Sequence, residues 1–211
     1  MTETKQAKAN IKMPAKSGAK RLARIALFTA LTAVCAQISV PLPGGVPITL
    51  QTFAVMLASI ALGFDGVAAV AVYVFLGLIG VPVFYKFGAT ASLVSPTGGY
   101  IVGFLPMSAL MATIIKTFEK RNENGLKPAE KRGGERRYFL VFAIASLLGT
   151  IVCYTFGSAW LIGLFALKGV EKSIGSVLSV CVVPFILPDL LKIALASYLG
   201  TVMCKTVRKN A

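Results

Sequence analysis

The chain alternates long apolar stretches with short polar or turn-rich breaks. No Asp, Glu, Lys or Arg occurs over residues 25–64, 66–85, 87–115 or 138–167. A bilayer core takes about 20 apolar residues per crossing helix, so these stretches hold several spans rather than one anchor. Residues 25–40 predict the first. Pro41, Pro43 and Pro47, with Gly44 and Gly45, end it, because proline cannot continue a helix ladder. Residues 48–64 predict a second span, closed by an Asp65-Gly66 turn. Residues 67–84 predict a third, loosened at its far end by Gly77, Gly80 and Pro82. The stretch YKFGATASLVSPTGG, residues 85–99, predicts an irregular loop. A fourth span follows at 100–118 and a solvated basic loop at 119–137. A fifth span follows at 138–160. Residues 161–187 are apolar but interrupted by Gly163, Gly169, Gly175 and Pro184. The last span is expected at 188–207, because proline suits a first helical turn and its predecessor avoids helical angles. The expected fold is all-α: an integral membrane six-helix bundle over residues 25–207, behind a loose basic tail at 1–24.

Composition supports this reading. Of 211 residues, 56% are hydrophobic and 14% charged, too apolar for an ordinary soluble domain. The net charge of +14 would suit nucleic acid, yet the cations sit at the ends of apolar runs, where the positive-inside rule puts them. No nucleic-acid partner is therefore expected, and membrane lipid is. Seven cations fall in the tail, eight between Lys116 and Arg137, and three at Lys205, Arg208 and Lys209. Four spans followed by two place all three groups on one side. Only Lys86, Lys168 and Lys172 lie opposite, and Lys192 lies within a span. Both ends are thus expected inside a cell membrane. Cys35, Cys153 and Cys181 lie within apolar runs and Cys204 at the end of one, where they read as small packing residues rather than a disulfide framework.

Enzymatic chemistry has little to work with. There is no histidine, and neither a G-x-S-x-G nor an H-E-x-x-H motif. The phosphate loop G-x-x-x-x-G-K-[ST] is missing too, so no ATP site, cofactor or metal is expected. The informative residues are the exceptions to the apolar rule. Asp189 and Lys192, in PFILPDLLK, are ionisable groups inside a span, and each costs about 2.5–3.5 kcal/mol on insertion scales. At i and i+3 they share a helix face. They are either a structural ion pair or a ligand site near the outer surface, where the helix N-terminus adds partial positive charge. In SPTGGY, Gly98 and Gly99 either let backbone approach a ligand closely or simply turn the chain into Tyr100 and its helix. In PLPGGVPITLQTF, Thr49 and Gln51 either offer hydrogen bonds at the mouth of the second span or, for Thr49, cap it. Ala26, Ala30 and Ala33 form a small-residue ridge that lets another helix approach, from a partner or from within the bundle.

Taken in order, ISVPLPGGVPITLQTF, GLIGVPVF, SPTGGYIVGF and PFILPDLLK resemble the biotin-binding S components (the BioY family) of energy-coupling factor transporters, from about residue 22 to residue 203. The resemblance implies a six-helix bundle that binds biotin at its outer face with high affinity. A separate transmembrane coupling protein and a pair of ABC-type ATPases would form the motor. It implies that Asp189 and Lys192 help bind biotin and that Ala26 and Ala30 contact the coupling protein. Phe84 and Tyr100 would pack on the apolar parts of the ligand. Lys86, at the outer mouth, is expected to help neutralise the biotin carboxylate. The chain departs from the family pattern at Ser95, where glycine is usual, at Tyr85-Lys86-Phe87, where the family is glycine-rich, and in a longer 119–137 loop. Two alternatives stay open: an S component for another vitamin or a solitary transporter, and a membrane scaffold whose Asp189–Lys192 pair is structural.

Overall fold

The first helix, α1, runs over Ala15–Gln37 and so begins inside the stretch expected to be a loose tail. Residues 15–24 are mostly Ala, Lys and Arg, all good helix formers, and the apolar run propagates back through them. The computed structural model describes residues 15–42, 45–123, 134–169, 175, 179 and 182–209. Residues 1–14 of the expected tail and 124–133 of the expected inner loop lie outside the described residues, as do Lys172 and Cys181.

After α1 the Pro/Gly segment forms a feature that periodicity did not predict. Strand β1 (Ser39–Val40) pairs antiparallel with β2 (Ile48–Thr49), Ser39 opposite Thr49 and Val40 opposite Ile48. This hairpin delivers the chain into α2 (Gln51–Leu62). Gly63, at φ 58°, then turns it sharply into α3 (Phe64–Leu78). A side chain at Gly66 would collide with the Ala58 carbonyl, so glycine is what lets the two helices meet so closely. Both are shorter than the expected spans 48–64 and 67–84. A 3-10 turn (Tyr85–Phe87) and the short α4 (Thr90–Leu93) lead to α5 (Gly98–Glu123), α6 (Gly134–Leu167) and α7 (Val183–Lys209). Helix α6 runs on through Gly163, because a lone interior glycine costs only about 1 kcal/mol. Helix α7 starts before Pro188, since Pro184 already occupies its first turn. Pro188 forgoes only the bond to the Pro184 carbonyl.

Among the described residues, three helical stretches are long and apolar enough to cross a membrane: Gly98–Arg121, Gly134–Leu167 and Val183–Cys204. Helix α2 packs against α1, α3, α5 and α7, while α6 is flanked by α5 and α7. The interior is sealed by Val55, Met56, Tyr73, Phe84, Met107, Met111 and Phe142. The outside is apolar as well, with Leu27, Phe75, Ile144, Leu148, Leu187 and Leu191 exposed. Such a continuous apolar coat suits lipid rather than water. Cys35 and Cys153 are buried free thiols, and Cys204 is half-buried.

At the end where α1 begins, Arg21 Nη2 and Nε approach Asp65 Oδ1 at 2.7 and 2.8 Å. This ties α1 to the first turn of α3. The hydrogen bond from the guanidinium to Asp65, reinforced by their attraction, holds the Arg21 pKa above its ordinary value.

Candidate functional site

The first turns of α7 carry Asp189 and Lys192 on one face, as the i, i+3 spacing requires. Lys192 Nζ donates to Asp189 Oδ1 at 2.6 Å, and the two side chains are only 8% and 4% exposed. Neither is left to the other alone. Thr52, in the first turn of α2, donates to Asp189 Oδ1 at 3.4 Å and accepts from Lys192 Nζ at 3.1 Å. Tyr154, midway along α6, donates its phenolic proton to Asp189 Oδ2 at 2.6 Å. A buried ion pair is tolerable only when its spare donors and acceptors are also engaged, and three helices converge to do this.

The cluster forms one wall of a pocket of about 520 Å³, counting the space open at its mouth. Its polar side is Thr49, Gln51, Thr52, Tyr154, Asp189 and Lys192, and its apolar side includes Val46, Tyr100, Ile101, Phe104 and Phe185. Gln51 is locked in place. It donates to the Tyr73 hydroxyl, and its Oε1 accepts from Thr49 Oγ1 at 3.0 Å. Thr49 Oγ1 also accepts from the Gln51 N–H at 3.3 Å, so one side chain lines the pocket and binds an orphan donor at the start of α2. The Tyr100 ring lies over Gly157, where any side chain would overlap it. It faces Phe185 at 6.2 Å between ring centroids.

Of the ligand residues expected from sequence, Thr49, Gln51, Tyr100, Asp189 and Lys192 meet in this pocket, whereas Phe84, Lys86, Gly98 and Gly99 do not line it. Phe84 is fully buried and stands edge-on to Tyr73 at 5.3 Å, behind the Gln51 wall. Lys86 is exposed, with its ammonium 5.4 Å from the centre of the Tyr85 ring. It is the neighbouring Tyr85 that lines the pocket. Lys86 and Phe87 both adopt left-handed backbone, at φ 52° and 55°. Gln37 ties this turn to α1, accepting from Phe87 N–H at 3.1 Å and donating to the Phe84 carbonyl at 2.9 Å. Gly98 and Gly99 serve close packing. A Cβ would strike the Leu93 carbonyl at the first and the Trp160 side chain at the second. The Trp160 indole N–H in turn donates to the Ser95 carbonyl at 3.1 Å.

Ala26 and Ala30 are exposed along α1 and Ala33 half-buried, while Phe28, Thr32 and Ala36 of the same helix face the core. Sequence reasoning missed Thr52 and Tyr154. The only signal for each was a hydroxyl inside a charge-free run, one of many.

The BioY family matches the chain over residues 4–209. The "Probable biotin transporter BioY" of Pyrococcus horikoshii is 38% identical over 84% of this chain and 92% of its own length. The "Biotin transporter BioY" of Thermotoga maritima is 36% identical over 86% of this chain and 94% of its own. A solved S-component for biotin from an ECF-type ABC transporter superposes with a TM-score of 0.74 at 25% identity, covering 92% of this chain and 95% of that one. With the family match spanning nearly every residue and the architecture shared as well, the chain belongs to the BioY family.

Proposed function

We propose that this chain is the biotin-binding S component of an energy-coupling factor transporter, which captures biotin at the outer face of the cell membrane. The supporting observation is the buried Asp189–Lys192–Thr52–Tyr154 cluster in the wall of a pocket otherwise largely aromatic and aliphatic. Its hydrogen-bonding capacity is nearly but not wholly used. A carboxylate has about four lone-pair sites and an ammonium three N–H groups. Asp189 accepts three bonds and Lys192 donates two. One acceptor site on Oδ2 and one N–H of Nζ remain. The biotin ureido group offers the complement, an N–H next to a C=O. Tyr100, Phe104 and Phe185 pack on the bicyclic ring, and the valerate points to the mouth of the pocket. Six spans with both ends inside fit the cation distribution. Transport is driven by a separate coupling protein, which docks on the Ala26–Ala30 face, together with a pair of ABC-type ATPases.

Titration of the purified protein with biotin by calorimetry tests this. Saturable one-to-one binding with a Kd below about 1 µM is expected. At a hundredfold excess over Kd, linkage adds about 2.7 kcal/mol to stability, so the melting temperature should rise by several degrees. No heat and no thermal shift at millimolar biotin would overturn the reading.

A further inference from the structure

Farther in along the bundle lies a second polar layer that the ligand pocket does not use. Ser59 on α2, Ser108 on α5, Ser146 on α6 and Ser197 on α7 are all fully buried. Ser59 and Ser108 meet directly, Oγ to Oγ at 2.9 Å. Ser146 and Ser197 do not: each Oγ is sealed from solvent and lacks a protein partner. The omission is specific. Thr32, Ser59, Thr150 and Thr201 all bond back to the carbonyl four residues earlier, at 2.8 Å each. Ser146 and Ser197 leave that option unused.

Helix register places the two at the same level along the packed pair α6 and α7. Gly200 on α7 lies against both Ile60 on α2 and Phe142 on α6: a Cβ there would overlap Ile60 and crowd the Phe142 ring. Ser146 lies four residues after Phe142, and Ser197 three before Gly200. On antiparallel helices these steps lead in the same direction, about one turn toward the outer face, and return each side chain to the seam. The third sealed and unpartnered hydroxyl, Ser158, lies farther along α6 beyond Tyr154 and does not belong to this level.

We propose that Ser146 and Ser197 form the seat of an internal water molecule that bridges α6 and α7, about two turns inward of the Tyr154–Asp189 contact. A buried hydroxyl without a partner is costly. Internal water relieves that cost wherever a small cavity presents two or more polar groups. The seam is therefore closed by hydrogen bonds at two levels, directly at Asp189 and through water at the serines.

Alanine substitutions in the full chain, in detergent, test this through the sign and additivity of thermal shifts. Ser146→Ala and Ser197→Ala should each lower the melting temperature by roughly 2–4 °C. The double variant should fall no further than one single variant, because the bridge is lost only once. Dry hydroxyls would give the opposite sign, since removing an unpaired polar atom stabilises. Hydroxyls bonded back to their own helices would give additive or negligible shifts. Either result overturns the proposal. So would a high-resolution crystal structure with no density within hydrogen-bond reach of both Oγ atoms.

Discussion

Asp189 carries two roles that a single substitution confounds, because it neutralises Lys192 and, in the proposed function, receives the ligand. Asp189→Asn leaves the ammonium buried and uncompensated, which costs about 3–5 kcal/mol, and replaces the charged acceptor for the ureido N–H with a neutral amide. Adding Lys192→Met removes the stranded charge. The double variant should regain most of the melting temperature yet bind biotin at least about tenfold more weakly than the native chain, as loss of a charged hydrogen bond implies. Recovered stability with undiminished affinity would make the pair purely structural. Tyr154→Phe is milder. It deletes one donor to Oδ2 and should weaken binding about tenfold in calorimetry while the fold persists. Asp189 and Lys192 were legible because a charge in a charge-free helix stands out. Tyr154 and Thr52 were not, because hydroxyls in apolar runs are common and only helix packing decides which of them face inward.

Helix α5 reaches the site only because glycine lets it lie against α6. Gly99 and Gly103 abut Trp160, Phe156 and Cys153, and Gly157 abuts the Tyr100 ring. Gly157→Ala would push that ring toward the pocket. Overpacking of this kind costs about 1–3 kcal/mol, so a lower melting temperature and weaker biotin binding should appear together. Trp160→Phe separates the loop from the core, because it keeps the ring but loses the bond to Ser95. Stopped-flow measurement should show biotin dissociating several-fold faster with little loss of stability, and an unchanged rate would mean the bond does not hold the loop. Helix existence was readable from the apolar runs, but helix ends were not. Ala, Lys and Arg extended α1 backward, Pro184 moved the start of α7, and the β1–β2 hairpin left no alternating pattern in two-residue strands. Phe84 was expected to pack on the ligand and Lys86 to stand at the outer mouth, whereas their turn folds back onto Tyr73 and Gln37.

At the scale of the whole molecule, binding and energisation are assigned to different surfaces. The pocket lies between α2, α5, α6 and α7, while Ala26 and Ala30 lie on the exposed side of α1, away from the buried line of Phe28, Thr32 and Ala36. The Arg21–Asp65 bridge ties the basic end of that helix to α3, so the ridge is presented on an anchored element. A bulky side chain on this face displaces nothing inside the bundle, but it keeps a second helix from the close approach that small residues permit. Ala26→Trp and Ala30→Trp should therefore leave the biotin Kd and the melting temperature near native values while abolishing co-purification with the coupling protein and uptake into cells. Arg21→Ala should give a weaker form of the same separation, with reduced complex formation and unchanged biotin binding. If the tryptophan variants assemble and transport normally, α1 is not the docking face. If they lose biotin binding instead, the two surfaces are not independent and the ridge packs within the bundle.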